Sequence, residues 1–291
     1  MNEKIFALGF FDGVHLGHRA LLDACRQLAA EQNAEPCAVT FDLPPAAVLQ
    51  KIQPNMLSTV EDRKTLLHQA GMAQILLLPT NEQILSMSWF AFLEMLLDQG
   101  AKGFVCGYDF RFGKNGEGNP EKLADFAAQR NLPCIIVPEQ MMDGEKISST
   151  RIRSLLEQGN VENANRLLGH PHTLTGTVVA GQQLGRTIGI PTANLHLPDV
   201  LLTPAFGVYA CTAQVEGHTY VAVTNIGTRP TVSGAGITVE PWLLDFDGDL
   251  YGKEITLKFH KFLRPEQKFD SLDGLKAQIM EDAAQAYQLL K

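Results

Sequence analysis

Ten residues, Gly9-Phe10-Phe11-Asp12-Gly13-Val14-His15-Leu16-Gly17-His18, put three glycines and two histidines into one turn between an apolar run and an amphipathic one. A helix that starts there offers unpaired N–H groups and the positive end of its dipole, which favours phosphate. Gly9, Gly13 and Gly17 allow a ligand close to the backbone. His15 and His18, three residues apart, can both face that ligand, hydrogen-bond an α-phosphate and stabilise the charge that develops as pyrophosphate departs. The plainer alternative is a glycine turn with a histidine cap. Its position after a first parallel strand, where α/β sheets bind ligands, weighs toward the phosphate. A zinc site would need a third and fourth ligand that do not accompany the pair. Downstream, Ile147-Ser148-Ser149-Thr150-Arg151-Ile152-Arg153 sets hydroxyls ahead of an arginine. That pattern caps a helix and also suits phosphate oxygens. Gly107-Tyr108-Asp109-Phe110-Arg111-Phe112-Gly113-Lys114-Asn115-Gly116 is glycine-rich, aromatic and cationic. It fits a pocket for a planar ring, and equally an ordinary surface loop.

The second half has its own chemistry. Residues 176–194 read GTVVAGQQLGRTIGIPTAN. Gly181, Gly185 and Gly189 make a loop whose backbone can cradle phosphates, without the Gly-Lys-Ser/Thr of a Walker loop. Thr192 and Asn194, two apart in an expected strand, face one way and suit Mg²⁺, a hard cation that binds through phosphates and keeps several waters. A barrel hairpin with turn glycines is the alternative. Glu240, within Thr238-Val239-Glu240-Pro241-Trp242-Leu243-Leu244-Asp245-Phe246, is the best candidate base for a hydroxyl attacking a phosphoryl group. Pro241 argues instead for an edge strand with Glu240 in solvent, since proline cannot donate to a central ladder.

Positioning these groups takes two folds. Residues 4–137 alternate short apolar strands (4–9, 36–41, 73–78, 103–107, 134–137) with amphipathic helices (18–31, 60–70, 88–99, 120–130). Continuous apolar strands are buried on both faces, so a Rossmann-like parallel sheet with helices on both sides is expected. Residues 151–170 read as a polar helical link. From Thr173 onward, period-two stretches separated by Gly, Pro and Asp predict a small antiparallel barrel of about six strands. Residues 271–290 carry Leu272, Leu275, Ile279, Ala283 and Tyr287 at helical spacing, predicting a terminal helix packed on the barrel. The expected domains are 1–155 and 156–291. The net charge of −8 argues against a generally basic nucleic-acid-binding surface. No apolar run approaches the ~18 residues of a membrane span. Five cysteines without a C-x-x-C pair read as free thiols in a reducing cytoplasm.

Taken together, GFFDGVHLGH and ISSTRIR resemble the two signatures of the HxGH nucleotidylyltransferase superfamily. With GYDFRFG they resemble the adenylylating half of bacterial bifunctional riboflavin kinase/FAD synthetases. In the second half, the glycine loop with PTAN, then PAFGVY, NIGTRPT and Glu240 before Leu-Leu-Asp-Phe, resembles the riboflavin kinase domain in its proper order. The resemblance implies an enzyme that makes FMN from riboflavin and ATP, then FAD from FMN and ATP, with Mg²⁺. It implies ATP at Gly9, Phe11, His15, Gly17 and His18, with Ser149, Thr150 and Arg151 closing on the phosphates. Asp109, Phe110 and Arg111 would belong to the flavin side. In the kinase half, Gly181, Gly185, Arg186 and Gly189 would hold ATP phosphates, Thr192 and Asn194 the Mg²⁺–ATP, and Glu240 would be general base on the riboflavin 5′-hydroxyl. Arg264, Glu266 and Phe269 would border the flavin. The implied partners are small molecules, with no nucleic acid and no membrane, for a monomer or weak homo-oligomer. Besides His170-Pro171-His172, which stands where the family often has Arg-Pro-Tyr, two positions depart from the family pattern. Leu43 stands in Thr40-Phe41-Asp42-Leu43-Pro44-Pro45 where the family has T-F-D-P-H-P, and Trp242 stands where it has His or Tyr. Two rivals follow: a kinase with a feeble adenylyltransferase half, and a non-catalytic flavin-binding regulator.

Overall fold

A computed structural model describes residues 3–181, 185, 189–231 and 234–291. The chain forms two compact units, Met1–Met56 with Val60–Ser149, and Leu57–Thr59 with Thr150–Lys291.

The first unit is a five-stranded parallel sheet of β1 (Lys4–Leu8), β2 (Glu35–Phe41), β3 (Gln74–Leu78), β4 (Ala101–Gly107) and β5 (Cys134–Val137), in the order β3-β2-β1-β4-β5. Its helices are α1 (Leu16–Glu31), α2 (Pro45–Gln50), α3 (Val60–Gln69), α4 (Glu82–Leu85), α5 (Trp89–Asp98) and α6 (Pro120–Ala128). Alternation along β1 explains its unbroken apolar run. Ile5 and Ala7 join one core with Leu22 and Cys25 of α1 and Leu67 of α3. Phe6 and Leu8 join a second core with Phe92 and Leu96 of α5 and Phe126 of α6. Each face is therefore buried by its own pair of helices. The strand order reverses between β1 and β4, so the loops after Leu8 and Gly107 leave the sheet at its switch point. The short helices α2 and α4 were not expected. At six and four residues they have too little length for a periodic signal. A small hairpin, β6 (Met141–Met142) with β7 (Glu145–Lys146), follows the sheet.

The boundary between units falls just inside α7 (Ser149–Glu157), so the expected single link of 151–170 is α7 followed by α8 (Val161–Leu168). Six strands then close a barrel: β8 (His172–Val179), β9 (Asn194–His196), β10 (Gly207–Val215), β11 (His218–Thr231), β12 (Gly234–Leu243) and β13 (Glu254–Arg264), in the order β10-β11-β12-β9-β8-β13. The C-terminal helix (Leu272–Leu290) is capped by the Ser271 hydroxyl, which accepts from Gly274 N at 3.1 Å. Its Ala283 and Ala286 pack on Val208 and Ala210 of β10 and Val223 of β11, covering the outer wall of the barrel.

Three expectations need correction. Strand β12 is not an edge: it pairs with β11 along its length and meets β9 at Val239↔Leu195. Pro241 fits because its carbonyl accepts from Ala193, just before β9 begins, where its missing N–H breaks no ladder. Thr192 likewise precedes the strand it was expected to share with Asn194. Leu272, expected on the packed face of the last helix, is 67% exposed, because that first turn runs beyond the barrel wall. The five cysteines are free, and burial pushes the Cys25 and Cys211 thiols up to about 12, which makes them poor nucleophiles at neutral pH.

Candidate active sites

The turn after β1 is conformationally demanding. Phe11 (φ 57°), Gly13 (φ 71°) and Val14 (φ 39°) all lie in the left-handed region. A β-branched residue there is strained and must be held by its surroundings. Gly9 permits the fold because a Cβ would lie 2.8 Å from the Phe11 ring, which is fully buried. Phe11 thus offers a ligand its backbone and not its ring.

His15 caps α1, its Nδ1 accepting from His18 N at 3.2 Å. The neutral ring therefore carries its proton on Nε2, as a donor. The two imidazoles stack, 3.6 Å between centroids and 14° between planes. Burial, then coupling to the stacked His15 and to Arg63, hold His18 well below the usual histidine range, so it is neutral at pH 7. Its Nδ1 is buried without a protein partner. The second signature comes to the same turn: Ser149 Oγ donates to the Asp12 carbonyl at 3.2 Å. Thr150 and Arg151 fall in the second unit.

The residues of the Gly107–Gly116 loop point in different directions. Asp109 pairs with Lys146 at 2.7 Å, and Lys146 also donates to the Tyr108 hydroxyl, which itself donates to Glu139. Phe110 stacks on Phe112 and packs against the sheet core, while Arg111 is exposed. Leu43 lies in a turn pinned by Asp42 and Thr80: its N–H donates to Asp42 Oδ1 at 2.7 Å and its carbonyl accepts from the Thr80 hydroxyl at 2.8 Å. Arg63 and Lys146 escaped the sequence reading, because nothing in their local pattern distinguishes them from solvated surface cations.

In the second unit a cavity of about 710 Å³ opens between the outer wall of the barrel and the C-terminal helix. It gathers Gly185, Thr192, Glu240, Arg264, Glu266 and Phe269, which are scattered over 80 residues of sequence. Its apolar wall is Val208, Val223, Trp242, Leu275 and Ile279, a surface suited to a planar aromatic ring. A neighbouring cavity of about 390 Å³ is lined by Gly189, Thr192, Asn194, Phe246, Asp247, Asp249 and Tyr251. Thr192 borders both cavities. Asn194 borders only the second.

The glycines are there for close approach. A Cβ at Gly181 would lie 2.1 Å from Asn194 Nδ2, and one at Gly185 would lie 2.2 Å from the Ile190 carbonyl and 3.2 Å from Thr192 Oγ1. Arg186 lies outside the described residues. Glu240 stands opposite Asn225 in the β11–β12 register, so both share the cavity face. Asn225 Nδ2 reaches Glu266 Oε1 at 3.5 Å. Arg264 is on the cavity wall with its charge committed elsewhere. Nε and Nη2 donate to the Asp282 carboxylate at 2.8–3.1 Å, and Nη1 donates to the Pro265 carbonyl. Asn225 and Asp282 are the residues here that sequence reasoning passed over. Asn225 stood in a motif without a role, and Asp282 looks like any acidic helix residue.

Comparison with known proteins decides the family. A FAD synthetase family model matches residues 1–151 and a riboflavin kinase family model matches residues 168–290. The chain belongs to the bifunctional riboflavin kinase/FMN adenylyltransferase family. A bifunctional riboflavin kinase/FMN adenylyltransferase of Listeria monocytogenes is 38% identical over 96% of this chain and 90% of its own. The Bacillus subtilis protein of that name is 35% identical over 98% and 92%, and that of Escherichia coli 36% over 96% and 90%. A crystal structure described as a macrolide-efflux protein from Streptococcus pneumoniae superposes with a TM-score of 0.89 at 32% identity, covering 97% of this chain and 93% of that one. Among the described residues of this riboflavin kinase/FMN adenylyltransferase family member, no helix is long and apolar enough to cross a membrane.

Proposed function

We propose that this chain makes FMN from riboflavin and ATP around Glu240, and FAD from FMN and ATP around the His15–His18 pair, with functional domains 1–155 and 156–291. The observation that carries the kinase reading is one cavity in which the Glu240 carboxylate and the Thr192 hydroxyl share an apolar, ring-lined wall. In this reading the isoalloxazine ring lies between that wall and Phe269, bordered by Arg264 and Glu266. Glu240 accepts the proton of the riboflavin 5′-hydroxyl as it attacks the γ-phosphoryl group, and the ADP leaving group stays in the neighbouring cavity. Gly181, Gly185, Arg186 and Gly189 cradle the phosphates.

Thr192 and Asn194 fit Mg²⁺ as two neutral hard oxygens, one at the junction of the cavities. Among the described residues no cluster of three or more His, Cys, Asp or Glu side chains could hold a metal, so the ion would arrive on ATP. Held through the Thr192 hydroxyl and the Asn194 carboxamide oxygen, it would shield the charge of the transferring phosphates.

For adenylylation, His15 and His18 face the α-phosphate of ATP, which an FMN phosphate oxygen attacks, with pyrophosphate leaving. His15 Nε2–H donates to the developing charge. Gly9, Phe11 and Gly17 lend backbone, while Ser149, Thr150 and Arg151 hold the leaving phosphates. Asp109, Phe110 and Arg111 flank the flavin side, where Lys146 orients Asp109. The partners are small molecules, with no nucleic acid, and the chain works in the cytoplasm as a monomer or weak homo-oligomer.

Purified protein given riboflavin, ATP and Mg²⁺, with flavins separated by chromatography, tests both steps. Glu240→Gln should slow FMN formation by about 10²–10⁴-fold, the range of a general base, while supplied FMN still becomes FAD. His18→Ala should do the reverse. A Glu240→Gln protein that phosphorylates riboflavin normally would refute the base assignment.

A further inference from the structure

We propose that Arg63 is a positioning residue for FMN adenylylation, acting with Thr40 to hold the Phe10 carbonyl and so the strained turn that presents His15 and His18. The inference rests on the histidine pair being the adenylylation site.

Arg63 lies on α3, far from both signatures in sequence, yet is 1% exposed. Its Nη1 donates to the Phe10 carbonyl at 3.0 Å and its Nη2 to the Asp42 carbonyl at 3.3 Å. The guanidinium carbon stands 4.6 Å from the centroid of the Phe10 ring. The Thr40 hydroxyl donates to the same Phe10 carbonyl at 2.7 Å. Two donors from separate elements thus converge on one oxygen, and the residue after Phe10 turns left-handed. Ser149 holds the next carbonyl but one, that of Asp12. The turn that carries the histidines is therefore fixed at two carbonyls, those of Phe10 and Asp12.

A packing role alone would not call for a cation. Arg63 makes its hydrogen bonds to carbonyls instead of a carboxylate, and its Nε is buried without a partner. Desolvating such a charge is unfavourable, and an apolar side chain of similar size would avoid it. What the charge supplies is a positive potential beside the histidines. Burial presses Arg63 below the usual arginine range, while Asp12 and Asp42 oppose that shift and keep it a cation. The same charge disfavours a proton on His18, in concert with the stacked His15. Burial does most to keep His18 neutral, and the stacked His15 and then Arg63 add to it, while Arg63 also shapes its turn.

The test compares Arg63→Met and Arg63→Lys in the full chain. Arg63→Met should lower kcat for FAD formation by about 100-fold, the scale of a misplaced catalytic group, while riboflavin phosphorylation by the same preparation holds. Arg63→Lys should restore a substantial part, since an ammonium keeps the charge and can reach one carbonyl. The His18 ring, followed by NMR, should titrate at higher pH in the Met variant and at its original pH in the Lys variant. His15, Asp12 and Asp42 are unchanged in both. FAD formation within about two-fold of the unsubstituted protein in both variants would overturn the proposal, as would equal losses with no shift in the His18 titration. His18→Ala run alongside separates the two readings. If it makes FAD normally, the site assignment fails, and if it is inactive while both Arg63 variants work, only the role of Arg63 fails.

Discussion

Replacing Asp282 with leucine strands the Arg264 guanidinium between β13 and the C-terminal helix. The Asp282 side chain is 3% exposed and that of Arg264 16%, and three hydrogen bonds join them. Gln278 Nε2 donates to the same carboxylate at 3.2 Å. Removing one partner of a buried, hydrogen-bonded pair costs about 3–5 kcal/mol, mostly because the survivor is left buried and unpaired. Arg264 keeps some water, so the lower end applies, about 3 kcal/mol, or roughly 10 °C in the melting of a unit this size. The pair clamps the helix that forms one wall of the larger cavity, so KM for riboflavin should rise before the unit melts. Calorimetry and urea unfolding of the full chain read the stability, and chromatography reads both flavin products. FMN supplied directly should still become FAD. The double variant Arg264→Met/Asp282→Leu should recover most of the stability, because no charge is stranded. A single variant that loses less than about 1 kcal/mol, or a double variant as unstable as the sum of its parts, would refute this account.

His172 is buried, and burial with the His170 charge lowers its pKa to about 4. The unfolded ring takes its proton near 6.5, so stability is full above that pH and falls as pH drops from about 6.5 to about 4. The loss is on the order of 3 kcal/mol, and His172→Gln should flatten that part of the acid-denaturation curve of the second unit. Gly181→Ala should displace Asn194, since the new methyl would lie 2.1 Å from its Nδ2, and should raise KM for ATP in the kinase step while leaving FAD formation from FMN intact. Chelation of divalent cations should stop both reactions without lowering the melting temperature of the nucleotide-free protein, because the metal comes with ATP. A melting temperature that falls on chelation would point to a resident metal instead.

Much of the architecture follows from local pattern. Ile5 to Leu8 must be a strand buried on two faces, because four consecutive apolar residues supply both cores. The period-two stretches after Thr173 must close on themselves or expose edges, and they close. Glycines at 9, 181 and 185 announce close approach, and in each case a Cβ would collide with a residue of the same motif. His15 and His18 are neighbours along one turn, so their pairing is local as well. The sequence by itself determined these things because the interacting groups are a few residues apart, or because periodicity reports burial directly.

Partnerships between distant residues are another matter. The local sequence around Pro241 favours an edge, and barrel closure makes its strand interior. Thr192 is shared by two cavities whose other walls come from distant strands. Arg264 lines the larger cavity, and only the fold brings Asp282, on the last helix, to its guanidinium there. Arg63 sits in a helix expected as amphipathic, where a cation belongs to the solvated face, and it is buried because the Phe10 turn folds over it. A charge's role depends on what desolvates it and what opposes it, and those groups come from elements brought together by tertiary packing alone.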